Sequence, residues 1–261
     1  MIKKTILSRR DCNVIKGLCM LLIMFHNYFH YIDPRIGENE FEFDVDNFHR
    51  FINFAGTDPL NIIRYLSSYL GHYGVQLFIF ISSYGLYLSY QNRELGWFNF
   101  MKTRIAKLYP TLVVGLVFVF LLIIFQLNSF PSAPQTKEGL LKLTLLYNFI
   151  PHEALSFSGP WWFFSLIIQL YAVFPVLLLL VKKYGSNSML VTASIFIMVS
   201  MAFDLYMSID GFSIYYTFVG QLPLFSLGVY FAARKEIKIS IPESLRKTLA
   251  KQEAVVFKIS E

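Results

Sequence analysis

The stretch that decides the fold is residues 13–32, NVIKGLCMLLIMFHNYFHYI. It carries Lys16 near its start and runs without a break through apolar or small residues from Gly17 to Phe25. It then places His26, Asn27 and His30 among aromatic rings. Roughly 20 helical residues cross a bilayer, because each rises about 1.5 Å. At about 100° per residue, Asn27 falls roughly 20° from Lys16, His30 about −40° and His26 about −80°. The four polar side chains thus share an arc of about 100°, a polar stripe on a membrane helix. Ionisable groups at membrane depth are costly and by default point to function. Histidines beside Tyr28, Phe29 and Tyr31 near a helix end equally suit the water interface, and the stripe alone fits both readings. His26 and His30 also have the spacing of a zinc-protease helix. Asn27, however, stands where the general-base Glu would be and no third ligand is evident, so no metal is expected.

The rest of the chain has the same character. Of its 261 residues 55% are hydrophobic, 18% aromatic and 15% charged, against about 25% charged in soluble domains. Six runs are long and apolar enough to span, at about 14–32, 73–91, 109–128, 161–181, 189–206 and 212–233. The expected fold is therefore an all-α polytopic membrane protein of about six transmembrane helices plus short interfacial ones. Alternating the loops across the bilayer puts 18 of the 23 Lys and Arg residues on the side of the N-terminus. Arg35, Arg50, Arg64, Lys137 and Lys142 fall on the other. By the positive-inside rule both termini are cytoplasmic. The net charge of +6 sits at the ends of apolar runs rather than on an aromatic-interleaved patch, which excludes a nucleic-acid partner. Cys12 and Cys19, about 10 Å apart on one helix, are too far apart for a disulfide. The basic start MIKKTILSRR lacks a following small-residue cleavage site, so the first helix is read as uncleaved.

Outside the spans, the loop of about 33–72 is acidic. Its alternating EFEFDVDNF (residues 40–48) suggests a short strand or an extended lid, and Asp58-Pro59 suggests a capped helix over 60–70. Segment 138–150 is too short to span and is read as interfacial or re-entrant. Pro175 should kink the span that contains it. Gly220-Gln221-Leu222-Pro223 should break the last span and free backbone carbonyls, as in a transporter. A membrane domain over 1–235 is followed by a polar cytoplasmic tail over 236–261.

Five motifs in order resemble the acyltransferase-3 family of integral-membrane acyltransferases, which modify sugars of bacterial surface polysaccharides. They are Lys16-Gly17 through His26; GVQLFIFISS from Gly74 to Ser83; Arg104, Lys107 and Pro110 in an RxxKxxP pattern; Trp162, Phe163, Ser165, Leu166, Gln169, Tyr171 and Pro175 in register with WFLSLxxQxYxxxP; and Pro223, Phe225 and Gly228. The resemblance covers about residues 10–235. It departs where Ser83 replaces the usual Gly and Ile167 a frequent Glu. The family often leaves ten residues between the basic residue and the histidine; here that position is Asn27, and His26 comes one residue early. The family also continues for several more helices, which implies a fragment, a truncated product, or a short member completed by a helix-supplying partner or a homo-oligomer.

The resemblance implies transfer of an acyl group, acetyl in the first instance, from acyl-CoA to a hydroxyl of a cell-surface or lipid-linked carbohydrate, in the inner or plasma membrane. Acyl-CoA is then a co-substrate, with no bound cofactor. On this reading Lys16, Arg104 and Lys107 meet the donor phosphates. His26, or His30 in its place, is the general base. Asn27 stabilises the oxyanion or bonds a neighbouring helix. Gln169, Tyr171 and Trp162 are acceptor-binding or structural, and Ser82 and Ser83 pack helices. The competing class is a transporter or scaffold for a lipid-linked sugar, which the broken last span and buried polar groups also fit.

Overall fold

A computed structural model describes residues 7–32, 40–41, 43–207 and 209–234. Among these the chain is helical with no strand: α1 Arg9–Ile32, α2 Val45–Thr57, α3 Ile62–Leu70, α4 Tyr73–Tyr90, α5 Trp97–Leu127, α6 Ala133–Lys142, α7 Trp162–Tyr184, α8 Ser188–Tyr206 and α9 Phe218–Ala233. Four helices, α1, α5, α7 and α8, are long and apolar enough to cross a membrane. The other two expected spans are shorter or more polar. α9 has 16 residues, and α4 has 18 but includes four tyrosines, counting those at its two ends, and three serines.

Burial sorts these helices. In α7 61% of the apolar window is buried, against 11% in α5 and 17% in α1 and α8. The outer helices turn Leu18, Leu21, Val114, Phe118, Phe125, Ile195 and Met198 outward, a surface that lipid suits and water does not. Together with the apolar lengths, this makes the chain an all-α membrane protein. The core gathers around α7 and α4 through Ile79, Leu166, Leu170, Phe174, Leu177 and Phe225, all fully buried.

Small residues let the inner helices approach closely. On α1 the buried positions Cys12, Cys19 and His26 recur every seven residues and face α4. A Cβ at Gly74 would lie 3.0 Å from the Cys19 carbonyl, while one at Gly85 would touch Cys12, so α4 runs antiparallel to α1. α9 packs on the other side of α4. There Gly228 leaves space for Ser83, whose hydroxyl a Cβ would meet at 1.9 Å. Ser83 itself donates to the Phe80 carbonyl, a packing role.

Several local expectations change. Residues 45–57 form a helix rather than a strand or lid. Asp44 caps it by accepting from the Asp46 amide at 2.8 Å, and the i, i+3 spacing of Val45, Phe48 and Phe51 is helical. Phe51 stacks on Tyr69 at 4.5 Å and Phe54 on Tyr65 at 5.6 Å, so α2 and α3 form a hairpin. Asp58 does precede a short 3₁₀ turn, Pro59–Asn61. Its carboxylate, though, accepts from the Asn61 amide and the Tyr65 hydroxyl, both at 2.8 Å, bonds that hold its pKa down.

Segment 138–150 does not span. It holds the end of α6, a helix opened by a capping box between Ser132 and Gln135, and then a 3₁₀ turn at Tyr147–Phe149. α5 starts at Trp97, twelve residues before the expected span, so Arg104, Lys107 and Pro110 lie inside one helix rather than at its entry. The last run is not broken at Pro223, since α9 is continuous from Phe218. The interruption comes earlier, at the 3₁₀ turn Ile214–Tyr216 and the extended Thr217. Pro223, the sixth residue of α9, removes only the one backbone hydrogen bond that its N–H would have made to the Val219 carbonyl. The acidic residues Asp33, Glu38 and Glu42, the first six residues and the tail over 236–261 lie outside the described residues.

Candidate active site

Lys16 and Arg104 come together at one end of the bundle. They line a cavity of about 250 Å³ with Arg9, Asn13, Ser89 and Tyr171. The Arg104 guanidinium lies 5.0 Å from the Phe100 ring, 5.3 Å from Tyr171 and 5.6 Å from Tyr90, and it donates to the Tyr90 hydroxyl at 3.3 Å. Its Nε is buried with no hydrogen-bond partner among the described residues. Aromatic faces hold a cation in place while leaving its N–H donors for an anion. Lys107 is exposed and does not line this cavity. Arg9 and Asn13 do, two residues the sequence reading passed over; their positions 7 and 3 residues before Lys16 on the same helix were the available signal. Tyr171, read from sequence as acceptor-binding or structural, sits at this basic mouth.

Ten residues further along α1, about 15 Å along the axis, His26 is buried. Its Nδ1 is 2.9 Å from the Ser68 carbonyl on α3. A carbonyl only accepts, so Nδ1 carries the proton and Nε2 is the basic nitrogen of the neutral ring. Two more histidines surround it. His30 stacks on it at 5.6 Å, and His72, fully buried between α3 and α4, meets it edge-on at 5.7 Å. His72 escaped the sequence reading because it is 46 residues from His26, and only the α3–α4 turn brings it there. That turn approaches α1 so closely that a Cβ on Gly71 would lie 2.6 Å from the His26 Cβ. Among the described residues no group of three His, Cys, Asp or Glu side chains could hold a metal ion. Asn27 donates to the Ile23 carbonyl of its own helix at 2.8 Å, neither across helices nor toward a substrate space.

Gln169 and the backbone of Trp162 take part in hydrogen bonds between elements. Gln169 donates to Ser165 Oγ and accepts from the Phe218 amide, both at 3.0 Å. It therefore satisfies one of the free N–H groups that begin α9. Ser165 in turn donates to the Leu145 carbonyl at 2.9 Å. The Trp162 carbonyl accepts from Asn148, which also donates to the Tyr216 carbonyl at 2.6 Å. Lys142, fully buried, donates to the Glu153 carbonyl at 2.5 Å and to Ser156 Oγ at 2.9 Å, with its ammonium 4.1 Å from the Tyr147 ring. Burial pulls its pKa down to about 8. These bonds fix the segment between α6 and α7, where Leu145, His152 and Phe157 all adopt positive φ.

A family model described as an acyltransferase domain matches residues 10–249. No curated protein and no solved structure gave a match. The matched span takes in nearly the whole chain, including the helix that aligns Lys16 with His26 and the α7 register of Ser165 and Gln169. This sets aside the transporter reading. The chain belongs to the acyltransferase-3 family and is a membrane acyltransferase.

Proposed function

We propose that this acyltransferase moves an acyl group, acetyl in the first instance, from acyl-CoA to a hydroxyl of a cell-surface or lipid-linked carbohydrate on the opposite side of the inner or plasma membrane. Both termini are then cytoplasmic, as the distribution of Lys and Arg supports. The observation that carries the reading is the shared buried face of α1. Lys16 lines a basic cavity at one end, and about 15 Å further along the same face His26 presents Nε2 as a base. An extended pantetheine arm covers that distance with its phosphates at Arg9, Lys16 and Arg104. In the reaction the acceptor hydroxyl gives its proton to His26 Nε2, and its oxygen bonds to the thioester carbonyl carbon. The tetrahedral intermediate then expels the coenzyme A sulfur, which takes the proton back from the imidazolium. No carboxylate pairs with Lys16 or Arg104 among the described residues, which keeps both cations for phosphate.

The test is transfer of label from acetyl-CoA by the protein in lipid vesicles. His26→Ala should lower turnover at saturating donor by about 10² or more, the scale of general-base catalysis. Lys16→Ala should leave turnover nearly intact and raise the donor KM. Near-normal turnover in His26→Ala with loss in His30→Ala would move the base one turn outward. Normal turnover in both would refute the mechanism.

A further inference from the structure

A second cavity lies at the other end of the bundle from the basic mouth. It encloses about 470 Å³, within the range of small-ligand sites, and its lining includes Phe41, Asp204, Phe212, Ser213, Tyr215 and Tyr216. α7 separates the two openings. Its first residue, Trp162, packs edge-on against Phe41 and Tyr216, whereas Tyr171, about 14 Å along the helix, lines the basic cavity. Lys182, near the far end of α7, reaches the Arg93 carbonyl in the α4–α5 connection at 2.9 Å.

The chemistry of this cavity is aromatic and acidic. Phe41 stacks on Tyr215 at 5.4 Å and meets Tyr216 edge-on at 5.3 Å. Asp204 accepts from the Tyr215 hydroxyl at 2.5 Å, which orients the carboxylate. Asp204 sits in the last turn of α8, where the helix dipole disfavours a negative charge and no basic side chain offsets it. The Tyr215 bond ties the end of α8 to the turn before α9 and holds the exposed carboxylate at the cavity. The floor is preorganised. Gln221 donates to the Tyr215 carbonyl at 2.9 Å and Asn148 to that of Tyr216 at 2.6 Å, and a Cβ on Gly220 would lie 2.7 Å from Tyr215 Cα. Among the described residues no Lys or Arg lines the cavity, so it offers the donor phosphates no cation. A ligand with apolar ring faces and hydroxyl edges uses both features, the rings by stacking and Asp204 by accepting hydroxyl protons.

We propose that this outer cavity is the acceptor subsite and binds a sugar ring against the Phe41, Phe212, Tyr215 and Tyr216 aromatic lining, with Asp204 accepting its hydroxyls. The word acceptor rests on the acyl-transfer reading above, but binding of a sugar here does not. The decisive experiment titrates detergent-solubilised protein, without donor, with oligosaccharides released by mild acid from the envelope of the producing cells, read by saturation-transfer NMR. Asp204→Asn and Phe212→Ala should each weaken binding by roughly tenfold or more, the scale of one charge-assisted bond or one buried ring. Tyr215→Phe, which keeps the ring but releases Asp204, should give a smaller loss. Acetyl-CoA binding should be unchanged in all three. Equal binding by variants and unaltered protein overturns the subsite, as does the absence of saturable binding. So does binding of tetramethylammonium in place of oligosaccharide, lost in Asp204→Asn. If the variants lose the sugar but unaltered protein transfers no acetyl label, the subsite stands and the acyl-CoA reaction fails.

Discussion

His26 owes its proposed role to three neighbours rather than to its own chemistry. The Ser68 carbonyl sets its tautomer, Gly71 allows the approach of the α3–α4 turn, and His72 backs the ring. Gly71→Ala places a Cβ 2.4 Å from the Ser67 carbonyl and 2.6 Å from the His26 Cβ. It should cost most of the activity while leaving the basic mouth able to bind acetyl-CoA, which equilibrium dialysis would reveal. Asn27 is the opposite case. Its amide bonds its own helix, so Asn27→Ala should keep turnover within about threefold, whereas loss of an oxyanion donor would cost about 10² to 10³. Measured kcat of the two forms separates these outcomes.

At the scale of elements, the family motifs turn out to be seams. The Gly74–Ser83 stretch packs on α1 and α9, and Ser165 with Gln169 ties α7 to the start of α9. Gly228→Ala forces a Cβ into Ser83 Oγ and within 2.3 Å of the Phe80 carbonyl. It should lower the thermal midpoint clearly, while Gly159→Ala, with open space around it, should not. The segment between α6 and α7 has its own signature. Lys142 has its pKa lowered from 10.5 to about 8, so above pH 8 the folded state binds fewer protons than the unfolded one. Stability should therefore rise with pH between about 8 and 10.5. Lys142→Met should remove that rise, as thermal unfolding at pH 7 and pH 9.5 would show.

At the scale of the whole molecule, Arg9, Lys16 and Arg104 line one cavity, while Glu40 and Asp204 line the cavity at the other end. Both native cysteines are buried, so they make a quiet background for a test of orientation. A membrane-impermeant thiol reagent on intact cells should label Thr57→Cys and spare Glu94→Cys until the cells are opened, both sites being exposed. The reverse order would invert the topology and with it the direction of transfer.

The sequence by itself determined what one helix can determine. Rise and rotation per residue put Lys16 and His26 on one face about 15 Å apart, and the apolar runs marked the membrane helices. It did not reach the pairings. His72 beside His26, Arg9 and Tyr171 beside Arg104, Gln169 at the first amide of α9, and the aromatic cavity around Asp204 join residues from different elements. Their proximity depends on where small residues let helices meet, which no period along the chain encodes. The misread lid over 40–48 has a related cause. Its alternation fits a strand, and only the Asp44 cap and the stacking of Phe51 and Phe54 on α3 place residues 45–48 in a helix. Local geometry follows from the chain's own bonds, whereas the site is assembled by tertiary packing.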